Sequence, residues 1–198
     1  MEASERKHIE ITKERSSLTE PIEQLIKKAK LGDHQAFKQL VVMHERQVMA
    51  TVTGMLGDVE TAKDISQQVF IRFFRSLADY RGDSRLGTYL TRIAINLSLN
   101  EIKRKQRTIG NLNTYKSDLG TNPVIDHSAS PEQLETRQLV QSALQQLPDE
   151  ARAVIVLRMI EGYSTKETAE ILGLPMGTIG SRLSRAQDKL KSILKQLI

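Results

Sequence analysis

Apolar residues recur along this chain at intervals of three and four, and no useful stretch alternates with a period of two. Thr19 stands at a helix start with Pro21 in the first turn, and Ile22, Leu25, Ile26 and Ala29 then share one face. Gly32 and Asp33 interrupt the pattern. It resumes through Phe37, Leu40, Val41, Val48, Val52 and Met55 up to Gly57. Asp58 opens a third helix with Ala62, Ile65, Val69 and Phe73 inward. Residues 80–83 read as a turn. Asp83 or Ser84 caps a fourth helix, in which Leu86, Leu90, Ile93 and Leu97 follow at spacings of four, three and four.

The texture then changes. Residues 108–133, TIGNLNTYKSDLGTNPVIDHSASPEQ, carry Gly, Asn, Ser and Pro with few large apolar side chains, the composition of a linker. Helical periodicity returns with Val140, Ala143, Leu144 and Leu147. Pro148-Asp149-Glu150 starts the next helix, which carries Val154, Leu157 and Ile160. The predicted fold is therefore all-α, with two small helical domains on a flexible linker. Its parts are a charged tail at 1–18, a first domain at 19–107, the linker at 108–133 and a second domain at 134–198.

The stretch YSTKETAEILGLPMGTIGSRLSRAQDKL, residues 163–190, is the most specific local pattern. Ser164 and Glu167 form an S-x-x-E capping box for a short helix over 164–172. Gly173 stands where a glycine ends a helix, and residues 174–177 make the turn. Ile179, Leu183, Ala186 and Leu190 then bury one stripe of a second helix. Its opposite face is Gly180, Ser181, Ser184, Arg185 and Gln187, flanked by Arg182 and Lys189. A short helix, a tight turn and a second helix with a small, basic outer face make a helix-turn-helix. Small residues let such a helix enter the major groove, and Ser and Arg supply donors for base edges and phosphates. Two packed helices with a solvated face would share the spacing.

Charge agrees with an anionic partner: the net charge is +5 over 198 residues. There is no cysteine, so disulfides and thiolate metal sites are excluded and a cytoplasmic location is expected. The N-terminal stretch has no apolar signal core, and no run is long enough for a membrane span, so no direct membrane insertion is expected. No phosphate-binding loop, nucleophile elbow or zinc-peptidase motif is present. The four histidines are scattered without ligand spacing. No catalytic residue, metal or cofactor is expected.

With both halves in view, the chain resembles the extracytoplasmic-function (ECF, group 4) sigma factors of bacterial RNA polymerase. KLGDHQAFKQLV and AKDISQQVFIRFFRSLADYRGDSRLGTYLTRIAINLSLNEIKRKQR are similar to sigma region 2. LQQLPDEARAVIVLRMIEGYSTKETAEILGLPMGTIGSRLSRAQDKL is similar to region 4. Larger members of the family carry a further domain between the two, for which this chain has no room.

The resemblance implies roles residue by residue. Asp64, Gln67 and Gln68 match the polar face that meets the clamp helices of core RNA polymerase, with Gln68 where the family often has Glu. Residues 80–85, with Tyr80 and Arg81, match the loop that captures a base flipped from the promoter −10 element, and Asn96 matches the asparagine of that pocket. Tyr89 replaces the usual tryptophan of this helix. Arg92, Lys103, Arg104 and Lys105 add cations toward −10 DNA, with Arg107 closing the basic run. Thr178, Ser181, Arg182, Ser184, Arg185 and Lys189 match positions from which the −35 element is read, and Gly180 stands where a basic residue is common. The implied partners are core RNA polymerase, promoter DNA and an anti-sigma factor. The alternative is a free-standing helix-turn-helix regulator, for which the polar face at 64–68 and the pocket at 80–96 would have no use.

Overall fold

The computed structural model describes residues 21–111 and 131–197. Among the described residues there are eight α-helices, one π-helical turn and no strand. Helices α1 (Ile22–Lys30), α2 (His34–Leu56), α3 (Val59–Ser76) and α4 (Leu86–Asn111) form the first half. Helices α5 (Pro131–Gln145), α6 (Asp149–Ile155), a π turn (Val156–Ile160), α7 (Thr165–Leu172) and α8 (Met176–Leu197) form the second. The N-terminal tail, Thr19 and residues 112–130 of the expected linker lie outside the described residues. Helix α4 runs on to Asn111, into the span that composition marked as linker, and α5 already begins at Pro131.

The breaks fall where local chemistry puts them. The Asp33 carboxylate caps α2, accepting from the backbone N–H of Gln35 at 2.9 Å and of Ala36 at 3.1 Å. Gly57 ends α2 at φ 77°, a left-handed conformation that a side chain would strain. Asp58 then caps α3 through the Thr61 N–H at 3.2 Å and also accepts from the Thr61 hydroxyl.

Each half buries its own stripe. In the first, Leu25, Leu40, Val48, Val52, Val69, Phe73 and Leu90 are almost fully excluded from solvent. Phe73 packs against Phe37, Tyr80 and Tyr89, with ring centroids at 5.8, 6.1 and 6.1 Å. In the second, Ala143, Leu144, Leu147 and Ile155 meet Ala186 and Ile193 of α8, while Val154, Ala169 and Ile179 form an adjoining cluster.

One expectation fails at Ile160, which periodicity placed inward with Val154 and Leu157. It is 47% exposed. The Glu161 N–H bonds back to the Val156 carbonyl, five residues away, so the chain gains a residue in that turn and the inward stripe goes out of phase.

The two halves do not stay apart. Met55 of α2 and Ile95 of α4 share a buried cluster with Ala153, Val156, Leu157, Tyr163 and Ile171 of the second half. Arg152 joins the pieces. Its guanidinium donates to the carbonyls of Leu144 (2.9 Å), Gln145 (3.0 Å), Leu147 (3.0 Å) and, across the halves, Met55 (2.7 Å). The side chain is 6% exposed, and Asp149 lies 3.5 Å away. Burial pulls the guanidinium below its ordinary pKa, and the Asp149 carboxylate pulls it back. Arg152→Leu would leave these carbonyls buried without the donor. Urea unfolding is expected to show a loss of at least about 3 kcal/mol, with no loss of this size for an exposed cation such as Lys166→Leu.

Candidate nucleic-acid interface

The helix-turn-helix is built as its local chemistry requires. The Ser164 hydroxyl accepts from the Glu167 N–H at 3.2 Å, and the Glu167 carboxylate accepts from the Ser164 N–H at 2.8 Å, a reciprocal capping box. These bonds hold the Glu167 carboxyl below the usual range. Gly173 closes α7 at φ 65°, and the Leu174 N–H returns to the Ala169 carbonyl at 3.0 Å. Pro175 leads into α8, its carbonyl accepting from Thr178 and Ile179.

Helix α8 seats Ile179 and Ala186 inward with Leu183 half-buried, and exposes Gly177, Gly180, Ser181, Ser184, Arg185 and Lys189. A Cβ added at Gly177 or Gly180 would meet nothing within 4 Å, so the backbone of this face is bare to an approaching surface. The Arg185 Nε donates to the Ser181 carbonyl at 3.2 Å and the Ser181 hydroxyl to the Thr178 carbonyl at 3.1 Å, so both are folded against their own helix. Thr178 is half-buried. Arg182 is drawn to the side: its guanidinium lies 2.7 Å from the Glu150 carboxylate of α6.

The first half presents a second polar stripe. Asn96, Asn100, Lys103 and Arg107 are exposed on α4 at spacings of four, three and four, which puts them on one side. Asn100, Lys103, Arg104, Arg107 and Thr108 line a cleft of about 350 Å³. Two of the other cations named from the sequence have partners. Arg104 makes two 2.7 Å bonds to Glu101, holding that carboxyl below its usual range. Lys105 reaches the Thr61 hydroxyl at 3.0 Å and stands 3.9 Å from Asp58. Arg92 is half-buried.

Tyr80 departs from its expected place beside a base. Its ring is 8% exposed, packs on Phe73 and Tyr89, and donates its hydroxyl to the Ser84 carbonyl at 2.7 Å. It ties the loop down from inside because a ring at the end of α3 buries more apolar surface in the core than outside it. Lys30 fixes the same loop through the Ala78 and Tyr80 carbonyls at 3.3 and 2.6 Å. Arg81 remains exposed at the loop tip beside Gly82, which sits at φ 80°.

On α3, Asp64, Gln67 and Gln68 are exposed together while Ala62, Ser66 and Val69 face the core. Ile71 and Phe74 extend the outer side, 41% and 48% exposed. This face and the two polar stripes belong to three different helices. Sequence reasoning missed Asn100, whose signal is its spacing of four from Asn96, and it missed Arg152 and Tyr163, which carry no local signal.

A helix-turn-helix joined to a second polar helix and a separate mixed face defines a DNA-binding protein that docks on another protein. The description "Sigma-70 region 2" matches residues 40–108, and "Sigma-70, region 4" matches residues 137–190. The ECF RNA polymerase sigma factor SigW of Bacillus subtilis is 32% identical over 184 residues, covering 89% of this chain and 98% of SigW. The ECF RNA polymerase sigma-E factor of Escherichia coli K12 is 32% identical over 183 residues, covering 88% of this chain and 94% of that factor. The fold is that of the sigma factor RpoE of Bartonella quintana, solved in complex with the anti-sigma factor NepR: TM-score 0.67, 24% identity, covering 80% of this chain and 96% of RpoE.

The chain belongs to the ECF sigma factors. It is an alternative sigma factor and not an enzyme: it binds core RNA polymerase and promoter DNA and directs transcription initiation, while the bond-making chemistry is the polymerase's.

The Arg182–Glu150 pair gives a test of the α8 surface. Glu150→Gln frees Arg182 for phosphate and removes a like charge from beside DNA. Binding of a −35 duplex should tighten, and the slope of log K against log salt should steepen by about one. Titration at several salt concentrations reads both.

Proposed function

We propose a division of labour among the three surfaces. The Asp64, Gln67 and Gln68 face of α3 docks on core polymerase. Asn96 receives a −10 base, with Arg81, Arg92 and Lys103 toward the phosphates. Ser181, Ser184 and Arg185, flanked by Thr178, Arg182 and Lys189, read the −35 element. The observation that carries this reading is that Asp64, Gln67 and Gln68, then Asn96 and Lys103, then Ser181, Ser184, Arg185 and Lys189 lie exposed on three separate helices. Within it, Tyr80, Arg104 and Lys105 hold the DNA-facing surface in place through their own partners. A domain division near residues 107 and 134 goes with this reading. So does a cytoplasmic site of action, where core polymerase works; no described helix is long and apolar enough to cross a membrane. Control by an anti-sigma factor is part of the proposal, because a body of this fold is held by one in the Bartonella quintana complex.

Asp64→Arg is expected to weaken core binding, measured by competition against a labelled sigma factor, with helicity by circular dichroism unchanged. Undiminished affinity would remove this face from the contact.

The two DNA surfaces should separate cleanly. Arg185→Ala should cost about 1–3 kcal/mol on the preferred −35 sequence and relax preference at one or two positions there. Asn96→Ala should leave −35 preference intact and lower permanganate reactivity of thymines near the start site, because the flipped base lacks its amide partner. Run-off transcription on a randomised promoter library decides. A −35 shift from Asn96→Ala would show the surfaces to be misplaced.

A further inference from the structure

Helix α8 has two unlike flanks. At about 100° per residue, Met176, Gly180 and Gln187 fall within about 40° of one another, between the buried stripe of Ile179 and Ala186 and the outer face of Ser181 and Ser184. Arg182, Arg185 and Lys189 share the other flank. The Gln187 amide is turned to the Met159 sulfur, 3.7 Å from its Nε2. Gly180 has no side chain. Met176 therefore supplies the free side chain of this flank, and it is 58% exposed.

That exposure has a local cause. Side chains of a helix lean toward its N-terminus, so a side chain at 180 would lie over the turn that holds 176. Glycine there, with open space where a Cβ would be, leaves Met176 uncovered, and Gly177 beside it adds no bulk. The Pro175 carbonyl starts the helix, accepting from the N–H groups of Thr178 and Ile179 at 3.0 and 3.2 Å, so Met176 stands in the first turn. Among the described residues of α8, the other large apolar side chain left exposed is Leu197, at the far end.

Single exposed apolar residues are common on proteins and need no function. Place gives this one a use. Residues at the N-terminal end of a recognition helix are the ones that reach base edges in the major groove. A methionine gains nothing from a phosphate oxygen, and it has no N–H or O–H to donate to a base. What the groove offers such a side chain is the C5 methyl of thymine. The thioether chain is unbranched and polarizable, so it adapts to the position of that methyl.

We propose that Met176 is a specificity-determining residue that packs on the methyl of one thymine in the −35 element, on either strand. The proposal rests on the reading of that element by α8 given above, and adds to it an apolar contact on the flank opposite the cations. Ser181, Ser184 and Arg185 then read donors and acceptors, while Met176 reads a methyl. One flank of α8 is cationic and suits phosphate; the other begins with an apolar group and suits a base edge.

The test uses holoenzyme assembled from core polymerase and the full chain. Selection from promoters with a randomised −35 element gives the preferred sequence. It should contain a thymine at a position where Met176→Ala relaxes the preference. Deoxyuridine in place of that thymine keeps every hydrogen-bonding group and removes only the methyl. In competition binding this swap should cost the unsubstituted holoenzyme about fourfold, the effect of one buried methyl. Met176→Ala should lose about as much on the thymine promoter and nothing further on the deoxyuridine one. Met176→Leu, which keeps an apolar side chain, should retain most of the dependence on the methyl. Arg185→Ala should lose affinity on both promoters and keep the difference between them. An equal cost of deoxyuridine in Met176→Ala and the unsubstituted chain at every thymine, or a preferred element with no thymine on either strand, overturns the role of Met176. So does a loss of core affinity in Met176→Ala without any dependence on the methyl, which would assign the side chain to polymerase. In each of these cases a −35 shift from Arg185→Ala shows that α8 is still the reading helix. If Arg185→Ala leaves −35 preference unchanged as well, α8 is not the reader, and both readings fall.

Discussion

A buried guanidinium that bonds to backbone carbonyls from two parts of the chain can be satisfied only if those parts stay where they are. Arg152 is such a group. It reaches the end of α5, the turn before α6 and the last turn of α2. Its charge stays in the interior because every donor it turns inward finds an acceptor, and Asp149 adds a counter-charge nearby. The position of α6 follows from it, and with α6 the π turn, α7 and the seat of the recognition helix α8. The helix-turn-helix is placed on the body by an arginine buried in the interior.

The same economy recurs on the polar stripes of α4 and α8. Cations that look interchangeable in the sequence divide by their partners: Arg104 is engaged by Glu101, Lys105 by Asp58 and Thr61, and Arg182 by Glu150. Lys103, Arg107, Arg185 and Lys189 stay exposed. A local basic run is therefore a poor guide to which charges meet phosphate. Carboxylates one turn away, or on the neighbouring helix, decide which cations are held on the protein. Tyr80 makes the parallel point for aromatics. Its ring fills the core and its hydroxyl holds the loop that carries Arg81.

Membership in the ECF sigma factors explains why these surfaces coexist in one short chain. A regulator that binds DNA alone needs one reading helix and a way to dimerise. This chain has exposed polar stripes on α4 and α8 and an exposed mixed face on α3, and its relatives in Bacillus subtilis and Escherichia coli match it over nearly their whole length.

Local sequence determined much of this. The breaks at Gly32–Asp33, Gly57–Asp58 and Gly173 were legible because each depends on a φ or a cap that neighbouring residues supply. The capping box of Ser164 and Glu167 and the bare face of α8 were legible for the same reason, since spacing along a helix fixes which side chains share a side. The exposed set Asp64, Gln67 and Gln68 followed from the buried set opposite. What periodicity could not give was decided by contacts between residues far apart in the chain. Ile160 turned outward because a five-residue hydrogen bond put its stripe out of phase. Tyr163 and Arg152 look like ordinary helix-end residues until Gln47, Thr91 and Met55 are brought to them across more than seventy positions. Whether the halves stand apart or share a core is a question of which apolar faces remain after each has packed internally. Met55 and Ile95 are left over in one half, and Val156, Leu157 and Ile171 in the other, and only the tertiary structure shows that they meet.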